Sequence, residues 1–133
     1  MPSYPGNALA TLLRNNQQAY LWNNESVPAS GAQGSLSVAF QLERINRSSY
    51  PWGAAFEVIF SANPGVFEID IVGCNNDNQQ NYTFLGNITA ATSYFAGSYV
   101  GRWDMPSNIW VKYVAGYMKT LTNAVNTTLQ VTH

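Results

Sequence analysis

The chain is predicted to be all-β: an antiparallel β-sandwich, jelly-roll-like, with an extended N-terminal arm. Three observations predict this. From Ser35 onward, apolar residues recur with a period of two in seven short segments. Clusters of Gly, Pro and Asn punctuate those segments. No helical pattern is long enough to cover a parallel sheet, so two sheets packed face to face are the natural solution. A length of 133 residues suits one domain with a core of its own.

The elements follow in order. Residues 1–34 read as an extended arm, either packed on its own domain or reaching a neighbouring subunit. They hold Pro2, Pro5, Gly6, Pro28, Gly31 and Gly34, with one short helical spacing at Leu9, Leu12 and Leu13. Tyr20, Leu21, Trp22 and Val27 are isolated apolar anchors in it. The sandwich domain is assigned to 35–133. Leu36, Val38, Phe40 and Leu42 alternate with Ser35, Ser37, Ala39, Gln41 and Glu43, the pattern of a half-buried strand. Ala54, Phe56, Val58 and Phe60 give a second strand, and Phe67, Ile69 and Ile71 a third. Asn63-Pro64-Gly65 between them is a turn signal, so the pair reads as a hairpin. Tyr82, Phe84 and Ile88 form a strand that Gly86 marks as bulged. Tyr99, Gly101, Trp103 and Met105 form another, stopped by Pro106. Ile109, Val111, Tyr113, Ala115 and Tyr117 share a strand face, although Trp110, Tyr113, Val114 and Tyr117 also match helical spacing; β-branched and aromatic content favours the strand. Val125, Thr127, Leu129 and Val131 make the last strand. An immunoglobulin-like sandwich is the second architecture this pattern allows, without its disulfide, because Cys74 is the only cysteine.

Composition narrows the function. Charged residues are only 10 % and aromatic residues 14 %. Interface cores are depleted in charge and enriched in aromatics, so such a surface suits contact with other proteins. The net charge is −1 and no basic run exists, which argues against nucleic acid as a partner. No stretch of apolar residues is long enough to span a membrane, and the start has no basic segment leading into an apolar run.

Chemistry-bearing motifs are sparse. The only histidine is His133 at the end of the chain, so neither a Ser-His-Asp nor a Cys-His arrangement is expected. One Cys and one His do not make a zinc site, and no Gly-rich phosphate loop is present. Glu68 and Asp70 lie two apart on a strand and share a face. They could serve acid/base chemistry, or with Asp77 a calcium site, but a solvated strand face is the expected role. Cys74 is expected to be an inert small residue. The five Asn-x-Ser/Thr sequons, at Asn24, Asn46, Asn81, Asn87 and Asn126, follow from a chain rich in Asn, Ser and Thr. No cofactor, metal or catalytic residue is assigned, and the chain is expected not to be an enzyme. Trp52, Trp103 and Trp110 are candidates for stacking on a sugar, the basis of an alternative reading as a carbohydrate-binding module.

The stretch from Phe40 to His133 carries a resemblance. Its marks are Glu43-Arg44-Ile45, Phe56-Glu57-Val58-Ile59-Phe60-Ser61, Asn63-Pro64-Gly65-Val66-Phe67-Glu68-Ile69-Asp70 and Val100-Gly101-Arg102-Trp103-Asp104-Met105. Trp110-Val111-Lys112-Tyr113-Val114 and Thr128-Leu129-Gln130-Val131-Thr132 complete them. This block resembles the small jelly-roll virion proteins of tailed bacteriophages, of the capsid cement or decoration type. The resemblance implies a homo-oligomer, dimer or trimer, made in the host bacterial cytoplasm and seated on the outer capsid surface of the virion. There it would bridge subunits of the major capsid protein. A tail, collar or head-fibre component is the alternative within the same class. The candidate interface residues are Tyr20, Trp22, Trp52, Arg102, Asp104 and Trp110.

Overall fold

The structure is a computed structural model that describes residues 18–28, 35–41, 54–76, 81–90, 93–95, 98–106, 109 and 111–132. These form nine strands: β1 (Gln18–Ser26), β2 (Phe40–Gln41), β3 (Ala55–Phe60), β4 (Phe67–Cys74), β5 (Thr83–Ile88), β6 (Ser93–Phe95), β7 (Ser98–Asp104), β8 (Tyr113–Leu121) and β9 (Asn126–Thr132). One sheet has the order β1-β9-β3-β7-β6 and the other β2-β8-β4-β5. Every pairing is antiparallel. The chain changes sheet at every connection except β4–β5 and β6–β7. Without the three-residue β6, the two sheets read β1-β9-β3-β7 and β2-β8-β4-β5, which is the winding of a jelly roll.

Alternation builds the core. β3 turns Phe56, Val58 and Phe60 inward, β4 turns Phe67, Ile69 and Ile71, and β9 turns Thr127, Leu129 and Val131. Phe60 and Phe67 meet edge-on across the two sheets, with ring centroids 4.7 Å apart. The expected β3–β4 hairpin is therefore corrected. Asn63-Pro64-Gly65 turns the chain from one sheet into the other, because both strands bury the same kind of face from opposite sides. Gly65 sits at φ 71°, a conformation glycine adopts without steric cost, and its N–H donates to Asn63 Oδ1 at 2.9 Å.

The segment 18–28, expected within the arm, belongs to the sandwich. β1 pairs with β9, and Leu21, Trp22 and Val27 enter the core. Two register shifts break its period, one between Tyr20 and Trp22 and one between Trp22 and Glu25. At the second, Asn24 takes φ 55° and its N–H donates to Thr128 Oγ1 at 3.0 Å. The proposed helix at Leu9–Leu13 lies outside the described residues.

The segment 35–43 also departs from expectation. Among its described residues, 35–41, only Phe40–Gln41 is strand, with one further bridge from Leu36 to Tyr117. Val38 is exposed, whereas Ser35, Ser37 and Ala39 are buried. The backbone explains the inversion. Ser37 N–H donates to Gly116 O, Gly116 N–H donates to Ser37 Oγ, and Met118 N–H donates to Ser35 O, each at 2.8 Å. These bonds draw the segment against β8. There Leu36 and Ala39 join Val72, Cys74, Tyr82, Tyr113, Ala115 and Tyr117 in a second apolar cluster. β8 is buried on both sides from Tyr113 to Met118, which is why its sequence pattern is ambiguous between helix and strand.

Candidate interaction surfaces

The roll has two flanks. β1 edges the five-stranded sheet on one side, and β5 edges the four-stranded sheet on the other, packed near β7. Three strand spacings of about 4.8 Å each put β1 roughly 15 Å from β7. Each of these edges exposes one aromatic ring: Tyr20 on β1, 48 % exposed, and Phe84 on β5, 51 % exposed. Phe84 faces out because β5 carries an extra residue at Leu85, between the pairs Ile71–Gly86 and Val72–Phe84. The bulge tucks Leu85 against the core. β5 has no charged residue, the feature that usually blunts an open edge.

The outer face of the five-stranded sheet carries a polar ladder. Gln130 Nε2 donates to Glu57 Oε1 at 2.8 Å, and Glu57 pairs in register with Arg102. Arg102 Nε donates to Asp104 Oδ1 at 2.9 Å in an exposed ion pair. Trp103, between them, points inward. Its ring lies 5.8 Å from that of Phe56 and covers Gly86, where a Cβ would come within 2.3 Å of the indole. Trp22 lies in the core at 2 % exposure and offers nothing to a partner in this state. Trp52 and Trp110 lie outside the described residues. At the end of the roll where β3 turns into β4, a cleft of about 250 Å³ is lined by Asn63, Pro64, Gly65, Val66, Phe67, Thr89, Ala90 and Tyr99. Val66 beside it is 71 % exposed. The lining holds no carboxylate, thiol or imidazole.

Glu68 and Asp70 depart from the expected solvated face. Both lie on the outer face of β4, but Asp70 is only 4 % exposed. Its Oδ1 is buried without a hydrogen-bond partner. Burial, and next the adjacent Glu68, push the Asp70 carboxyl up to about 6. Glu68 moves the other way, held down first by its hydrogen bond with Asp70. Asn87 Nδ2 also donates to Glu68 Oε2, at 3.3 Å, and Lys119 Nζ lies 3.7 Å from the same oxygen. Cys74 is buried in the second cluster, and burial raises its thiol above its ordinary range, as it raises the Tyr82 hydroxyl. Among the described residues no three His, Cys, Asp or Glu side chains converge on a metal-sized site.

Sequence reasoning located the Arg102–Asp104 pair but missed Phe84 as an exposed edge residue. Its signal was the Gly86 bulge, which reverses the phase of everything before it. Comparisons with known protein families, curated proteins and solved structures find no match.

Proposed function

We propose that the chain is a non-enzymatic virion structural protein, a capsid cement or decoration protein of a tailed bacteriophage. It binds the outer capsid as a homo-oligomer and bridges major capsid subunits. The observation that carries this reading is the pair of edges on opposite flanks, β1 with Tyr20 and β5 with Phe84, added to the resemblance of residues 40–133 to that family. A bridging protein has to hold two neighbours at once. Two separate footholds on one rigid body let the second contact form at high effective concentration. An uncharged edge strand also offers main-chain hydrogen bonds to an incoming strand. Jelly rolls serve both capsids and lectins, so the fold alone does not choose between them. The low charge and the paired edges favour protein contact.

Co-sedimentation of the full chain with capsids lacking it tests the reading. Binding that weakens at least tenfold in Tyr20→Asp and also in Phe84→Asp supports two footholds. No binding by the unaltered chain overturns the proposal.

A further inference from the structure

A buried carboxyl is an anomaly in a chain with so few charges, because Asp is almost never fully buried without a partner. Among the described residues, the groups facing Asp70 are few. β8 presents its register partner Tyr117 and, one turn of the pleat away, Lys119; β5 presents its other register partner, Asn87, and has no titratable side chain between Thr83 and Ile88. β4 itself presents Glu68. The covering segment from Ser35 to Gln41 brings no charge. Asn87 and Lys119 both serve Glu68, and the Lys119 charge favours an anion at Asp70 less than burial and Glu68 oppose it. A neutral acid tolerates an unpaired buried oxygen far better than a carboxylate does.

We propose that Glu68 and Asp70 share one proton, with the Asp70 hydroxyl donating to the Glu68 carboxylate, and that this proton is a pH-sensitive latch on the outer face of the four-stranded sheet. The latch lies beside Tyr117, which bridges to Leu36, and so beside the segment held down through Ser35 and Ser37. Loss of the proton leaves two adjacent anions with one lysine, and relief requires water to enter next to that segment. The sign follows from the direction of each shift. Between the ordinary carboxyl range and about 6, folded Asp70 keeps a proton that the unfolded chain has released, so stability falls as pH rises through that window. The lowered Glu68 works the other way, at lower pH. This inference is independent of the capsid reading and stands or falls without it.

Carbon-detected NMR titration of the side-chain carboxyls in the full chain tests it, together with thermal melts from pH 5 to 8. The expected result is an Asp70 midpoint near pH 6 that moves down in Glu68→Gln, and an unfolding temperature that falls with pH more steeply in the native chain than in Asp70→Asn. The amides of Ser37 and Met118, corrected for intrinsic exchange, lose protection over the same window. An Asp70 midpoint in the ordinary carboxyl range overturns the proposal, as does an unchanged midpoint in Glu68→Gln. That second variant keeps the test open even if Asp70→Asn does not fold.

Discussion

Replacing Trp22 by Ala distinguishes a loose N-terminal arm from a structural first strand. Trp22 is 2 % exposed and lies on the inner face of the five-stranded sheet, opposite Gly116 of the other sheet, where a Cβ would stand 3.3 Å from its ring. The indole therefore fills space that only the facing strand can line. Truncating a buried Trp to Ala costs about 3–5 kcal/mol, from lost transfer energy and the cavity left behind. Domain stabilities are about 5–15 kcal/mol, so the variant should lose about a fifth of the total or more. For a domain of this size that is a fall of roughly 10–20 °C in Tm. Urea unfolding followed by circular dichroism, with calorimetry alongside, measures it. Tyr20→Ala, on the exposed face of the same strand, should change stability by no more than about 0.5 kcal/mol. A Trp22→Ala loss below about 1 kcal/mol, with an unchanged denaturant slope, would refute the placement of β1 in the core.

Other perturbations test the rest of the architecture. Gly86→Ala drives a methyl into the Trp103 indole and should cost about 1–3 kcal/mol; pairing it with Trp103→Leu in a double-mutant cycle should recover part of that loss. Arg102→Ala removes an ion pair whose side chains are 54 % and 68 % exposed, so denaturant melts should move by less than about 0.5 kcal/mol. Asp70→Asn should be more stable than the native chain at pH 8 by about 1–2 kcal/mol and lose that advantage by pH 4, a crossover visible in paired urea melts.

The strands with one buried face were legible from alternation alone. β3 and β9 turn into the core the residues that a period of two selects, as β4 does with Phe67, Ile69 and Ile71, and the winding of the sheets is the jelly roll expected. β1 was not legible, because a bulge buries Leu21 and Trp22 side by side and Asn24 takes a left-handed turn. Those two irregularities erase the alternation that would have marked a strand. The Asn63-Pro64-Gly65 turn misled for a different reason, since a sandwich corner and a hairpin use the same residues. On the site side, the shared face of Glu68 and Asp70 follows from strand geometry, but the burial of Asp70 does not. That burial accompanies a second apolar layer on the outer face, for which the sequence held one clue: the unbroken apolar run Ile71-Val72-Gly73-Cys74, typical of a strand covered on both sides. Arg102 and Asp104 flanking an inward Trp103 were legible because β7 has no bulge against β3.

The central claim concerns where the roll sits when it works. Cryo-electron microscopy of the assembled particle in which the proposal places this chain is the direct measurement. The account predicts jelly-roll density on the outer capsid at the junctions between capsomers, with the β1 and β5 flanks each against a neighbouring subunit. Density confined to the tail, or a capsid surface bare of the chain, would contradict it.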